Sequence, residues 1–309
     1  MKKLDFSLTI SSNALQCPNA EEFYSKAYLA GEDVNFLHVL PGVKNSTKVG
    51  TATFPSVLQA LDCTFAASSS ALSATTVEVC ALKANVSVCK TDLESSFLVE
   101  QMRRGETNYT VESFMAFYWE TLQKEISNEL AVLRWQGNTA GTGATYTGNF
   151  AYKTLCDGYE KLMLADSNVV DVTATAVTSS NVIALLTAVI NAAPAAVKAK
   201  EAGAEFYVAS DVATAYRIAA ALGNTSAFIT GEMPLSFAGY QMVEAAGMTS
   251  GTIVFTRPEN LVYAFDGSEN GELVSIDQLK TAGIPNILTV VSLSVGMQNP
   301  NPSEIVWMH

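Results

Sequence analysis

The segment TVESFMAFYWETLQKEISNELAVLRW, residues 110–135, contains the clearest periodicity in the chain. Its apolar residues recur every three or four positions, at Val111, Phe114, Met115, Tyr118, Leu122, Ile126, Leu130 and Leu133. That spacing places them on one face of a helix, and no proline or glycine interrupts it. At 1.5 Å per residue the helix would be about 39 Å long, well beyond the usual three turns. The segment therefore predicts a spine helix along which other parts of the chain pack.

A glycine-rich segment, RWQGNTAGTGATYTGNF at residues 134–150, follows the spine. A phosphate-binding loop would end in Gly-Lys-Ser/Thr and lead from a strand into a helix, whereas this segment has no lysine and follows a helix. A structural use fits better. Gly137 in the left-handed conformation would end the spine, and Gly141 and Gly143 would form a flexible turn. We therefore predict a helix-terminating turn rather than a nucleotide site.

Two segments of different character lie on the N-terminal side. Residues 44–80 are rich in Thr, Ser, Val and Ala, and the stretches TKVGTATF and SATTVEVC alternate loosely, which predicts two extended strands joined by AASSSALS. This hairpin has few large side chains, so it needs another surface to lie on. Residues 1–43 predict an arm, with a short helix near residues 20–30 and a Pro-Gly turn at its end.

Strands and helices alternate between residues 151 and 249. DVTATAVT (171–178) and EFYVAS (205–210) predict strands. One predicted helix is stopped by Pro194, and another, VATAYRIAAAL, ends at Gly223. This alternation predicts a compact mixed α/β domain.

The C-terminal part predicts further strands. GTIVFTRPENLVYAFD (251–266) predicts a hairpin that turns at Arg257–Asn260, because Pro258 suits a turn. ILTVVSLSVGM (287–297) and EIVWM (304–308) predict closing strands.

Composition and charge narrow the possible functions. Apolar residues make up 49% of the 309 residues, which excludes disorder. Charged residues make up 16%, below the usual value of about 25%, so either the core is large or other subunits cover much of the surface. The net charge of −12 and the lack of clustered Lys and Arg exclude a dedicated nucleic-acid-binding role. An acidic protein can still surround nucleic acid without gripping it.

The cysteines are Cys17, Cys63, Cys80, Cys89 and Cys156. They form no CxxC pair, so a zinc site is not supported. Their odd number in a chain of this length does not indicate a disulfide scaffold. We predict that most are buried thiols of a protein made in a reducing cytoplasm.

The sequence predicts no catalytic, cofactor-binding or metal-binding residues. The histidines are His38 and His309, too few for a histidine-ligated metal, and no G-x-S-x-G motif accompanies them. A predicted helix over residues 91–104 would begin at Thr91 with a capping-box pattern. The acidic pairs are assigned to surface or helix-capping positions: Glu21 with Glu22, and Asp92 with Glu94.

Neither export nor membrane insertion is predicted. The start, MKKLDFSLTISSNALQC, is interrupted by Asp5 early in its apolar segment, unlike a signal peptide. The most apolar later run, Val182 to Val197, contains Asn191 and Pro194 and is too short to span a bilayer. We expect a soluble protein made in the cytoplasm.

The order of these parts resembles the major capsid proteins of tailed bacteriophages, which have the HK97-type fold. That order is arm, extended hairpin, spine helix, glycine turn, α/β domain and closing strands. Six segments of the sequence also resemble the corresponding parts of such proteins. They are VEVCALKANVSVCKTDLE (77–94), ELAVLRWQGNTAG (129–141), NVVDVTATAVTSSNVIALL (168–186), AEFYVASDVATAYRIAAAL (204–222), MTSGTIVFTRPENLVYAFD (248–266) and SLSVGMQNPNPSEIVWM (292–308). The resemblance covers nearly the whole chain and rests on the ordered set.

The resemblance implies an α+β chain with four parts. These are an N-terminal arm (1–43), an extended β-hairpin loop (44–80), a peripheral domain (81–150 and 250–309) and an axial domain (151–249). The spine, 110–135, would lie in the peripheral domain, and the last strands would return there. The extended loop would lie over a neighbouring subunit, and the arm would reach another. Lys44 and Lys48 lie where some relatives crosslink, but that chemistry is not carried over to this chain.

The implied function is structural and the chain would not be an enzyme. Copies would assemble into hexamers and pentamers and then into an icosahedral shell around double-stranded DNA, in the virion of a phage whose host cytoplasm makes the chain. Implied partners are other copies, a portal, and scaffold or decoration proteins, the scaffold being a separate protein. Three alternatives stay open: an encapsulin-type compartment that encloses cargo protein, an α/β enzyme that uses residues 151–249, and a β-rich surface or adhesion protein.

Overall fold

The spine predicted over residues 110–135 is present as one continuous helix of 26 residues, Val111–Gln136. The structure, a computed structural model, describes residues 20–53, 58, 71–89, 111–141, 151–173, 175–199, 202–223, 235–266, 274–279 and 286–309. The helix predicted over residues 91–104 lies outside them, as does Gly143.

Within the described residues the helices are α1 (Ala20–Tyr28), α2 (Val111–Gln136), α3 (Tyr159–Ala165), α4 (Val182–Ala192), α5 (Ala195–Lys198) and α6 (Ser210–Gly223), with 3-10 turns at Asp33–Phe36, Ala151–Thr154, Pro258–Asn260 and Pro302–Glu304. The strands are β1 (His38–Pro41), β2 (Ser46–Thr53), β3 (Ala71–Glu78), β4 (Cys80–Cys89), β5 (Val170–Val172), β6 (Glu205–Val208), β7 (Ser236–Phe237), β8 (Tyr240–Glu244), β9 (Ile253–Thr256), β10 (Val262–Phe265), β11 (Val274–Leu279), β12 (Asn286–Gln298) and β13 (Val306–Met308). None of the helices described combines the length and the apolar content that crossing a bilayer requires.

The chain forms two compact units. The first contains α1, nearly all of β4, the part of α2 up to Asn128, β11, and β12 up to Ser294. The second contains the other described elements, together with the ends of α2 and β12.

The first unit includes part of the segment predicted as an arm. Four residues of α1 are buried: Phe23, Tyr24, Ala27 and Tyr28. The Phe23 ring meets the ring of Trp119 on α2 edge-on, with centroids 5.4 Å apart. The Tyr28 hydroxyl accepts a hydrogen bond from the backbone N–H of Ser294 at 2.9 Å. Residues 20–28 are therefore not a free arm, because their apolar side chains, spaced for one helix face, bury themselves within their own unit.

A six-stranded sheet dominates the second unit, with strand order β5-β13-β9-β6-β8-β7. Every residue of β9 and β13 is buried, as are three of the four residues of β6. Strands buried on both faces read as continuous apolar runs, which explains why IVFT and VWM show no alternation. Helix α4 packs against β9 and β13, and it also packs against α6.

The position of the last strand differs from the prediction. Val306–Met308 was expected to return to the peripheral domain, but it lies between β5 and β9 in the six-stranded sheet. The strand predicted over residues 171–178 is shorter, Val170–Val172, because its parallel partner β13 offers three residues for pairing.

The prediction of a hairpin over residues 251–266 is also wrong. β9 pairs with β6 and β13, whereas β10 lies in another sheet between β1 and β12. A 3-10 turn at Pro258–Asn260 carries the chain from one sheet to the other. Every residue of both strands is buried, and an isolated two-stranded hairpin cannot bury both of its faces.

In that second sheet β1 runs parallel to β10, and β10 runs antiparallel to the end of β12. Farther along β12, β11 pairs from Val274↔Val291 to Leu279↔Asn286, and β4 also pairs with β12. The long strand predicted over residues 287–297 is confirmed as Asn286–Gln298.

Candidate assembly surfaces

The strands β2 and β3 form a two-stranded ribbon, residues 46–53 and 71–78. They pair antiparallel over eight residue pairs, from Ser46↔Glu78 to Thr53↔Ala71, as the sequence predicted for an extended hairpin. Among the described residues neither strand pairs with a third strand. Of the side chains described in the ribbon, Val77 is the one that is buried, and Leu72 is 79% exposed. The ribbon thus presents both faces to its surroundings.

The root of the ribbon is held by a small apolar cluster. Val77 packs with Val262 and Ala264 of β10, and partly buried side chains complete the cluster: Leu40, Val43, Val49 and Val79. The Gln298 side-chain amide also donates a hydrogen bond to the Thr76 carbonyl at 3.0 Å. Beyond this cluster the ribbon has no core of its own, which is the property expected of a segment that a second molecule covers.

Exposed apolar side chains also lie on the helices beside the six-stranded sheet. Helix α4, VIALLTAVINA, contains no charged residue. It buries Val182, Leu186 and Val189 but leaves Ile183 48% exposed. On α6, Ile218 and Leu222 follow one another by one turn and are 48% and 81% exposed. Exposed aliphatic residues on neighbouring helices are suited to contact with another protein surface.

The end of the spine is fixed by a buried ion pair that sequence reasoning missed. The Arg134 guanidinium donates two hydrogen bonds to the Asp33 carboxylate, Nε to Oδ2 at 3.1 Å and Nη2 to Oδ1 at 3.0 Å. The Trp135 indole N–H donates a third to Oδ2 at 2.8 Å. Both charged side chains are at most 3% exposed. This arrangement joins the spine to the segment that precedes β1, and its strongly paired groups serve structure.

Two buried tyrosines, Tyr263 and Tyr159, lie near the Asp33–Arg134 ion pair. The Arg134 guanidinium carbon lies 5.2 Å from the centre of the Tyr263 ring. Burial raises the pKa of Tyr263 to about 12, although the nearby arginine acts in the opposite direction. Burial likewise raises the pKa of Tyr159 well above its ordinary value. Shifted pKa values can mark catalytic sites, but here they come from burial around a structural ion pair.

Other carboxylates fix loops. Glu160 accepts hydrogen bonds from the N–H and hydroxyl of Thr249, at 2.7 and 2.6 Å. Burial raises its pKa in spite of these bonds. Asp211 accepts hydrogen bonds from Ser250 and Gly251; burial acts to raise its pKa, but the hydrogen bonds outweigh burial and lower it. In the described part of the chain, no group of three or more His, Cys, Asp or Glu side chains could hold a metal ion.

The two histidines lie apart in the fold. His38 is an exposed residue of β1, in one sheet, whereas His309 stacks on Trp307 at the end of β13 in the other. The structure therefore does not bring them together. A cavity of about 680 Å³ lies beside β8, and Glu32 is the one carboxylate among the described residues that line it, which include no His, Cys or Lys. His309 Nδ1 lies 3.4 Å from Asp171 Oδ1, and both of these side chains are open to solvent, with exposures of 37% and 63%.

Gly137 ends the spine in a different way from the prediction. It does not have a positive φ angle, so it is not a left-handed cap. It is instead a point of close backbone approach. Its N–H donates to the Leu133 carbonyl at 3.0 Å, and its carbonyl accepts a hydrogen bond from the Gly158 N–H at 2.9 Å.

The cysteine prediction also needs correction. Cys80 and Cys156, expected to be thiols, form a disulfide; their Cα atoms are 5.9 Å apart, and the two residues are 76 positions apart in sequence. No cysteine spacing in the sequence indicates this pair, because only the fold brings the start of β4 beside the segment that follows the spine.

Comparisons with known proteins rest on structure alone. No protein-family model matches the sequence, and no curated protein matches it. A chain of the "Satellite phage P4 procapsid including size determination (Sid) protein" is similar with a TM-score of 0.60 and 9% identity, covering 93% of this chain and 96% of that chain. A chain of the capsid of a native GTA particle gives a TM-score of 0.55 and 15% identity, covering 92% of this chain and 90% of that one.

A third similar structure is the virus-like particle from Pyrococcus furiosus, with a TM-score of 0.50 and 14% identity over 96% of this chain and 98% of that chain. At these identities the likeness shows the fold. The chain thus has a mixed helix-and-strand fold shared with subunits of phage capsids and of a virus-like particle.

Proposed function

We propose that this chain is the major capsid protein of a tailed phage. Copies assemble into hexamers and pentamers, which form an icosahedral shell around double-stranded DNA. The observation that carries the proposal is the β2–β3 ribbon, in which eight residue pairs include one buried side chain among those that the structure describes, in a chain with the fold of capsid subunits. The ribbon completes its packing on a neighbouring copy.

The parts of the chain then take the roles of an HK97-type subunit. The ribbon, within residues 44–80, is the extended loop, and α2 is the spine of a peripheral domain. The six-stranded sheet, with α4 and α6, is the axial domain, which includes β9 and β13 as well as residues 151–249. The exposed Ile218 and Leu222 of α6 contact other axial domains at the centre of a capsomer.

The charge of the chain suits a container. At a net charge of −12, the inner face of a shell repels the phosphates of packaged DNA rather than binding them, so the DNA can move during packaging and release. A portal and a separate scaffold or decoration protein are the further partners that we propose.

Expression of the chain alone, followed by size-exclusion chromatography and electron microscopy, tests the proposal. Capsomers, tubes or closed shells are expected. A discrete monomer at every ionic strength tried would overturn the proposal.

An encapsulin-type compartment is the second candidate, and the similarity to the Pyrococcus furiosus virus-like particle favours keeping it. The two functions differ in what fills the particle. Particles purified from the native source should contain nuclease-protected double-stranded DNA if the chain is a capsid protein. A protein cargo without protected DNA would favour the compartment instead.

A further inference from the structure

The ribbon has a narrow mechanical support. Within the second unit its buried side chain, Val77, packs against Val262 and Ala264 near one end of the eight-pair ladder, where Gln298 also donates a hydrogen bond to the Thr76 carbonyl. A two-stranded ribbon held at one end can tilt about that end, because few apolar contacts oppose the motion. The residues just beyond Glu78 lead into β4, where the backbone of Glu78 approaches Gly296 of β12, so a further constraint there acts on the direction of the ribbon.

Cys80 is placed to supply that constraint. It lies two residues after the end of β3, and its partner Cys156 is 3% exposed. The separation of 5.9 Å between their Cα atoms lies within the range that a disulfide spans.

The segment that contains Cys156 is itself anchored to the end of the spine. The Gly158 N–H donates to the Gly137 carbonyl at 2.9 Å, and the Asn138 N–H donates to the Lys153 carbonyl at 2.7 Å. The Cys80–Cys156 bond thus runs from the root of the ribbon to a firmly held part of the same unit.

We propose that Cys80 and Cys156 are an oxidation-dependent lock on the ribbon. In the reduced chain the ribbon pivots about the Val77 cluster; in the oxidised chain its root is fixed covalently to the end of the spine. Because glutathione keeps thiols reduced in a cytoplasm, a chain made there acquires the bond after release into an oxidising medium. The lock goes beyond the proposed capsid function and can be tested on the unassembled chain.

The oxidant is a small-molecule disulfide such as oxidised glutathione. The half-buried Cys80 thiolate attacks one of its sulfurs, forms a mixed disulfide and releases one thiol. The Cys156 thiolate then attacks the Cys80 sulfur and releases the second thiol. The two cysteines lose two electrons and two protons in total, and the small disulfide becomes two thiols.

The test uses a chain in which Cys17, Cys63 and Cys89 are replaced by serine, so that only the pair remains. It is treated with oxidised glutathione or with dithiothreitol, and free thiols are counted by mass after maleimide labelling in denaturant, so that the buried Cys156 can also react. Hydrogen exchange is then followed in β2 and β3, and thermal unfolding is measured. The variant C80S in the same background is the control, because it cannot form the bond.

The oxidised chain should take up no maleimide, whereas the reduced chain should take up two. Oxidation should slow exchange near the ribbon root by about tenfold. It should raise Tm by about 5–10 °C, since the bond closes a long loop. C80S should show none of these differences between the two treatments.

Two results would overturn the lock: both thiols still react after oxidation, or the bond forms while exchange in the ribbon is unchanged. The oxidised and reduced forms are the same polypeptide, so the comparison holds even if C80S folds poorly. If the lock operates in a chain that never forms capsomers or shells, the lock stands and the proposed capsid function fails.

Discussion

Gly137 and Cys156 meet backbone to backbone at the end of the spine. A Cβ atom at position 137 would collide with the Cys156 carbonyl oxygen, and it would lie 2.6 Å from the Leu133 carbonyl oxygen and 2.9 Å from the Gly158 nitrogen. These neighbours are backbone atoms, which cannot turn aside as a side chain can. The end of the helix therefore requires glycine for space rather than for a left-handed φ angle.

Gly137→Ala should consequently destabilise the subunit by about 3 kcal/mol, because the added methyl group overlaps fixed backbone. Urea unfolding of the unassembled chain, followed by circular dichroism, measures the free energy of unfolding. Gly50→Ala is the matched control, since a Cβ at Gly50 meets no atom within 4 Å, and its cost should stay within about 0.5 kcal/mol. Equal costs for the two variants would contradict the steric explanation.

Asp33→Ala should lower the free energy of unfolding more than the removal of an exposed charge does. It leaves the Arg134 charge buried and unpaired, which costs about 3–5 kcal/mol. Arg217→Ala breaks the Arg217–Glu244 pair, whose side chains are 45% and 25% exposed, and should cost about 0–1 kcal/mol. The same urea measurement compares them, and a loss below 1 kcal/mol for Asp33→Ala would show that the buried pair does not fix the end of the spine.

The buried phenol of Tyr263 should make stability fall at alkaline pH. Its pKa is raised by burial to about 12, whereas an unfolded tyrosine ionises near 10. The folded state therefore retains a proton that the unfolded state loses, and this contribution, fully present below pH about 10, is lost as pH rises toward about 12. In that window Tyr263→Phe should lose stability less steeply with pH than the natural chain does.

Urea unfolding at several pH values between 8 and 12, with tyrosinate absorbance as a second signal, checks this prediction. Identical slopes for the two proteins would show that Tyr263 ionises equally easily in both states. At pH 8 Tyr263 is protonated in both the folded and the unfolded state. The difference in stability between the two proteins at pH 8 therefore reports the change in packing, and its further change with pH reports the ionisation of Tyr263.

Shortening the ribbon should separate folding from assembly. Replacing residues 51–73 by Asn-Gly would close the hairpin at the Gly50↔Ala74 pair with a two-residue turn and keep the buried Val77. The free energy of unfolding of the subunit should stay within about 1 kcal/mol of that of the natural chain, because surface segments contribute little to stability. The shortened chain should nevertheless not form closed shells. Circular dichroism with urea measures the first result and electron microscopy the second.

Unfolding of the shortened chain would show that the ribbon belongs to the core of its own subunit. Closed shells from it would show that the ribbon is dispensable for contact between copies. Leu72→Ser is a gentler companion variant, since it changes one exposed side chain of the ribbon and leaves its length intact.

Much of the local structure follows from the sequence. Apolar residues that recur every three and four positions in 110–135 are compatible with a long helix, and the structure has one there. The Thr- and Val-rich stretches in 44–80 pair as the predicted ribbon. The ribbon's unusual exposure was also foreseeable, because a hairpin of small residues has too little apolar area for a core. The same reasoning could not place Val306–Met308, since a short apolar strand fits the middle of any sheet.

The sequence by itself thus determined which segments are helical or extended, and that one of them lacks a core of its own, because periodicity and side-chain size act over a few residues. The tertiary structure alone decided that β9 and β10 enter different sheets, that Gly137 is needed for space, that Asp33 meets Arg134, and that Cys80 meets Cys156. Each of these four features either joins residues that are far apart in the chain or depends on how backbone segments pack against one another. Such contacts depend on how whole elements dock, and no local pattern encodes that.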